Sequence, residues 1–212
     1  MPEYKTVACL ASDELVKHRS RFICTIKPVR AEDEALKFIN EMKQKYWDAA
    51  HNVYAYVLRE GNVKRCSDDG EPHSTAGIPT LDVLVKQGLT DCAIVITRYF
   101  GGVLLGTGGL VRAYSEGTKI AIESGEIIVM RECALCTVEC DYTQYGRLEA
   151  LIRSSADNLD NTVFSEKVIV DFFVKVENLP YFEEQLKESF CGKLKLSVTG
   201  EKYIRIQEKQ NI

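Results

Sequence analysis

Thr97–Tyr114 constrains the fold more than any other segment. An apolar run, Cys92–Thr97, enters it and an amphipathic helix predicted over Leu110–Ser124 leaves it. Between them lie Gly101, Gly102, Gly106, Gly108 and Gly109, five glycines within nine residues. A chain this poor in side chains stays ordered only where its backbone packs closely on a neighbour or on a ligand. The run that feeds it lacks polar alternation, which predicts a strand buried at the centre of a sheet. Backbone N–H groups at the start of the following helix suit an anion, and Arg98 and Arg112 could add charge-assisted bonds to phosphate or carboxylate. Close packing against a helix, anion or nucleic-acid backbone binding, and a phosphate site for catalysis are the three readings of this loop. It carries no G-x-x-x-x-G-K-[ST] and no dinucleotide fingerprint.

A second dense segment precedes it. Lys64–Pro79 holds Arg65, Asp68, Asp69, Glu71 and His73 with two glycines. Such a stretch builds no core, so its charges are solvated, paired or bound to something. One reading is a polar turn whose Asp and Ser oxygens cap backbone amides. Others are a partner contact, or a divalent-ion site using Asp68, Asp69, Glu71 and His73. His51 sits where a strand begins and a ring could face this loop. No G-x-S-x-G, H-E-x-x-H or Cys/His couple supplies a nucleophile or a zinc set.

Around these segments the chain reads as α+β. Strands are expected at Lys5–Leu10, Arg21–Lys27, Asn52–Arg59 and Cys92–Thr97. Helices are expected at Ala31–Trp47, Thr80–Gly88 and Leu110–Ser124, the last supported by Arg112–Glu116 and Lys119–Glu123 pairs. Ala35, Phe38, Ile39, Met42 and Tyr46 form the buried stripe of the first helix. After Gly125 the pattern restarts: strand Glu132–Asp141, helix Tyr145–Ser154, strands Asn161–Val170 and Phe172–Glu177, helix Leu179–Phe190, strand Lys193–Ile206. That order fits a ferredoxin-like domain. The expected domains are 1–130 and 131–212, divided between Ile128 and Cys133.

Composition narrows the function. Lys and Arg number 27 against 31 Asp and Glu, so bulk charge does not recruit nucleic acid, although a local basic patch remains open. Residues 1–130 carry 16 basic and 17 acidic side chains. No apolar run approaches the ~18–20 residues that span a bilayer, and Met1–Leu10 lacks a secretory core, so a cytoplasmic protein is expected. The eight cysteines lie mostly in strand-like runs. Cys133-x-x-Cys136-x3-Cys140 lacks a second ligand pair, and Cys136 and Cys140 share parity with Val138, as core residues do. No metal or cofactor is assigned.

Together the two segments resemble the YigZ/IMPACT family. The resemblance rests on His51, Ser67-Asp68-Asp69-Gly70-Glu71-Pro72, Thr75-Ala76-Gly77-x-Pro79, Thr97-Arg98-Tyr99-Phe100-Gly101-Gly102, and Leu105-Gly106-x-Gly108-Gly109-Leu110-x-Arg112-Ala113-Tyr114. Departures occur at His73-Ser74, where a small residue and Gly are expected, and at Val103-Leu104, where many relatives carry Lys. The resemblance implies a first domain like the second domain of a small-subunit ribosomal protein and domain IV of elongation factor G. The second domain would resemble the ferredoxin-like C-terminal domain of that factor. It also implies a non-catalytic role in translation regulation, since eukaryotic relatives bind a ribosome-associated activator of a stress kinase. RNA, the ribosome or a protein is the expected partner. The expected binding residues are His51, Arg65, Asp68, Asp69, Glu71, Arg98, Tyr99, Phe100, Gly101, Gly102, Gly106, Gly108, Gly109 and Arg112. Arg65, Arg98, Tyr99, Phe100 and Arg112 would share one stacking face. The alternative is an enzyme on a phosphorylated small molecule with a divalent metal.

Overall fold

The computed structural model describes residues 3–156 and 158–205, and these form an α+β protein of two compact units, 4–128 and 129–205 with residue 3. A first strand, β1, covers Glu3–Val7.

The first unit is built on a five-stranded sheet. Its strands are β2 (Ala11–Lys17), β3 (Ser20–Pro28), β4 (His51–Leu58), β5 (Val63–Ser67) and β6 (Cys92–Tyr99). They lie in the order β2-β3-β6-β4-β5, and every neighbouring pair is antiparallel. Helix α1 (Glu32–Lys45) covers one face; α2 (Gly77–Lys86) and α3 (Gly106–Gly125) cover the other. The apolar run is thereby explained. Cys92, Ile94 and Ile96 of β6 join Phe22, Cys24, Ile26, Val53, Ala55 and Val57 under α2 and α3. Ala93 and Val95 face the other way, onto Ala35, Phe38 and Ile39 of α1. A strand buried on both sides needs no polar positions.

The second unit runs β7 (Ile127–Cys140), α4 (Tyr142–Ser155), β8 (Asn158–Phe164), β9 (Val168–Lys175), α5 (Leu179–Ser189) and β10 (Leu196–Arg205). The strands order as β10-β7-β9-β8, all antiparallel. Cys136, Val138, Cys140, Val170, Phe172 and Val174 pack on Leu148 and Ile152 of α4 and on Phe182 and Leu186 of α5. Cys136 is a packing residue, its thiol pushed up to about 11 by burial and by the nearby Glu183 charge.

The structure corrects several boundaries. β2 and β5 form where the sequence predicts no strand, and Lys64–Ser67 leaves the predicted loop to pair with β4. Both strands lie at sheet edges and neither holds a fully buried residue, so they lack an apolar signature. The hairpin between β8 and β9 turns at Ser165–Lys167 rather than at Asp171. There the Ser165 N–H bonds the Lys167 carbonyl, leaving Val168–Val170 in the same strand as Phe172. Helix α3 begins at Gly106, one turn earlier than its apolar stripe suggests. Helix α4 begins at Tyr142, where the Gln144 side chain accepts the Asp141 N–H at 3.0 Å. The end of the last expected strand, Ile206, lies outside the described residues.

Candidate binding site

Strand parity determines what meets at the lower end of the central sheet. Arg98 follows Cys92, Ile94 and Ile96 onto the face beneath α2 and α3, between His51 of β4 and Phe22 of β3. The loop 68–76, between β5 and α2, folds over this end. It delivers Glu71, whose side chain is only 2% exposed. Arg98 Nη1 donates to Glu71 Oε1 at 2.7 Å, and the Tyr114 hydroxyl of α3 donates to the same oxygen at 2.7 Å. Arg98 Nη2 reaches Ser20 Oγ at 3.3 Å, while the buried Nε has no hydrogen-bond partner. Burial, with the Glu71 charge beside it, pushes the Tyr114 phenol well above its ordinary range, so it remains a donor.

His51 is held from one side. Its Nδ1 lies 2.9 Å from the Asp69 carbonyl, an acceptor, so Nδ1 carries the hydrogen. Nε2 then faces Glu71 Oε2 at 3.9 Å. Asp69 anchors the loop to two elements, with Oδ1 on Lys43 Nζ of α1 at 2.6 Å and Oδ2 on the Asn52 N–H of β4 at 2.6 Å. Asp68 closes the loop on itself. It accepts the N–H groups of Ser74 (2.8 Å), Ala76 (3.1 Å) and Gly77 (2.8 Å), the last opening α2. Burial raises the Asp68 carboxyl, but these backbone donors outweigh it and hold the group below its ordinary value.

A pH effect follows from that depressed value. Because the folded-state pKa lies below the unfolded one, the stabilisation is present above the unfolded value and fades as pH falls through the folded one. Asp68→Ala should cost about 1–2 kcal/mol at neutral pH, as lost capping bonds do. In denaturant titrations that deficit against the parent chain should shrink towards acid pH. A deficit that stays constant would remove Asp68 as the anionic cap.

The expected site residues therefore divide. Asp68, Asp69, Glu71, His51 and Arg98 do converge, drawing the acidic loop and the strand before the glycines into one cluster. The shared stacking face does not form. Arg98 is 5% exposed, so it offers no open surface for a base. Arg65 lies opposite Tyr56, whose side chain packs with the α1 layer, and donates to the Lys64 carbonyl at 3.2 Å. Tyr99, one residue beyond Arg98, turns to the α1 side and donates to Asp48 at 2.8 Å. Phe100 and Arg112 remain exposed beside the glycine loop. Gly101 packs on the turn before β3, with its N–H on Ser20 Oγ at 3.3 Å. Gly102 and Gly106 have positive φ, 79° and 70°, with open space around them. Gly108 lies beneath the Arg112 guanidinium and Gly109 against Leu105. The expected Arg112–Glu116 pair is replaced: Lys17 of β2 takes Glu116 at 2.9 Å. Among the described residues no group of three or more His, Cys, Asp or Glu side chains is placed to hold a metal ion.

Sequence reasoning missed Tyr114, Ser20 and Lys43 as parts of the cluster. Tyr114 carries a usable signal, since a tyrosine on the inward stripe of a helix needs a buried partner for its hydroxyl. Ser20 and Lys43 carry none.

Residues 18–122 match the Impact N-terminal domain and residues 138–193 match a domain of unknown function, DUF1949. The class is thus a protein joining these two domains. IMPACT family member YvyE of Bacillus subtilis is 38% identical over 191 residues, covering 90% of this chain and 88% of that one. IMPACT family member YigZ of Escherichia coli is 31% identical over 183 residues, 84% and 89% of the two chains. A solved structure titled as that of an hypothetical protein is 28% identical with a TM-score of 0.61, covering 94% of this chain and 98% of that one. The chain belongs to the IMPACT family. Its likeness to the protein IMPACT homolog of Dictyostelium discoideum, 35% over 97 residues, involves 43% of this chain and 28% of that protein.

Proposed function

We propose that the chain is a non-catalytic, cytoplasmic binding protein acting on translation through RNA, the ribosome or a ribosome-associated protein. The observation that carries this reading is the internal saturation of the acidic loop. Asp68 and Asp69 spend both carboxylate oxygens, and Glu71 its Oε1, on the protein's own donors, so the loop's charges serve to hold it against the sheet. The cluster is a scaffold that holds the neighbouring glycine loop in place. In this reading domain 1–130 has the fold of the second domain of a small-subunit ribosomal protein and of elongation factor G domain IV. Domain 131–212 is ferredoxin-like, as in the C-terminal domain of that factor; its strand-helix-strand-strand-helix-strand order supports this.

Co-sedimentation with ribosomal particles from a lysate, with and without RNase, tests the role. The chain should pellet with the particles, and retention after RNase would assign a protein contact. An RNA contact would be lost on digestion and would weaken steeply with salt. Absence from the pellet at low salt under both conditions would defeat the proposal.

A further inference from the structure

The loop from Phe100 to Leu105 places apolar side chains in water on a rigid mount. Leu104 is 84% exposed, Phe100 52%, Val103 38%, and Val111 on the adjoining turns of α3 37%. The loop is pinned at one end where Gly101 meets the Arg19–Ser20 turn, and at the other where Leu105 packs against the core. Two exposed arginines belong to the segments that border it. Arg112 folds back over Gly108, and its natural partner Glu116 is held by Lys17. Arg19 belongs to the turn that contacts Gly101. Among the described residues neither Arg19 nor Arg112 has an acidic group in ion-pairing reach, and the first turn of α3 contains no acidic residue.

An exposed apolar group rimmed by unopposed cations marks a contact surface, and its chemistry names the partner. We propose that this loop docks an amphipathic protein segment whose apolar stripe is flanked by carboxylates. Charge complementarity selects acidic flanks, and side-chain type selects protein over nucleic acid. Phe100 is the single π-face in the patch; Leu104, Val103 and Val111 offer a base nothing to stack on. Residues 1–130 are near neutral, with 16 basic against 17 acidic side chains, so a polyanion finds no extended field. The inference rests on the proposed binding role and specifies its surface and partner class.

The probe is a synthetic leucine-striped helix bearing glutamates on its flanks. A copy with lysines on the flanks and a uridine homopolymer serve as comparisons. Backbone amide shifts of the full chain report where each binds. The glutamate peptide should saturate shifts at residue 19 and residues 100–112. Leu104→Ser and Arg112→Glu should each weaken it about tenfold or more, as central contacts do. Arg112→Glu should bind the lysine peptide better than the parent chain does. Both positions are exposed, and unchanged thermal unfolding of the variants confirms an intact fold. Shifts elsewhere or none, equal binding of the two peptides, or preferential occupation of these amides by the uridine polymer each overturn the inference. A chain that pellets with ribosomes but ignores the glutamate peptide loses the docking surface and retains the role. One that binds the peptide here but never pellets retains the surface and loses the role.

Discussion

Glu71→Ala should destabilise the first domain by about 3–5 kcal/mol, the range expected when one partner leaves a buried ion pair. The Arg98 and Glu71 side chains are 6% and 2% exposed, so solvent cannot replace the lost carboxylate. Removing it strands the guanidinium, whose Nε already lacks a partner, and leaves the Tyr114 hydroxyl without its acceptor. The cost therefore falls on three elements at once: the loop 68–76, β6 and α3. A graded series separates charge from shape. Glu71→Gln retains an acceptor for Tyr114 but abandons the cation, and should fall between the parent and Ala. Tyr114→Phe removes one hydroxyl donor and should cost about 1–2 kcal/mol. The double variant Glu71→Leu with Arg98→Met should recover much of the loss, because a buried pair replaced by apolar side chains is often close to neutral. Chemical denaturation midpoints with an unchanged slope report each value. A Glu71→Ala chain as stable as the parent would show that Glu71 does not tie loop 68–76 to β6 and α3.

The prominence of these residues was legible in the sequence, but their pairing was not. A run with Asp68, Asp69, Glu71 and His73 announces that charges must be satisfied, and the unbroken apolar run Cys92–Thr97 announces a central strand. Nothing local says that Glu71 is satisfied by a cation 27 positions away and a phenol 43 positions away. Those partners are selected by the sheet, which places Arg98 opposite His51 and Phe22. The same limit explains the stacking face that dissolved. Arg98, Tyr99 and Phe100 are adjacent in sequence, yet strand pleating sends the first two to opposite faces and the strand ends before the third. Local pairs mislead for a related reason: Glu116 lies one helical turn from Arg112, but Lys17 on a neighbouring strand reaches it. Apolar runs recovered β3, β4 and β6; the edge strands β2 and β5 stayed hidden because none of their side chains is fully buried in the core.

Gly101→Ala should be among the most damaging single-methyl additions to this chain, although the residue is partly exposed and outside any helix or strand. A β-carbon at Gly101 would fall inside the backbone of Arg19 and Ser20, which belong to the turn joining β2 to β3. A flexible side chain could swing away, but this backbone cannot, since Ser20 opens a strand paired on both edges. Either the turn or the loop must move, and the loop carries the Gly101 N–H bond to Ser20 Oγ, which also accepts from Arg98. Overpacking against a fixed neighbour costs about 1–3 kcal/mol and sometimes more; a whole loop displaced here should reach the top of that range. Gly102→Ala is the internal control. The space around Gly102 is open, so the penalty there is only the left-handed backbone at φ 79°, about 1–2 kcal/mol. Thermal unfolding should therefore rank Gly101→Ala well below Gly102→Ala, and amide shifts in the first variant should spread to Arg19, Ser20 and Arg98. Equal stability of the two variants would mean that the loop yields freely. Phe100, Val103 and Leu104 would then have no rigid mount from which to recognise anything.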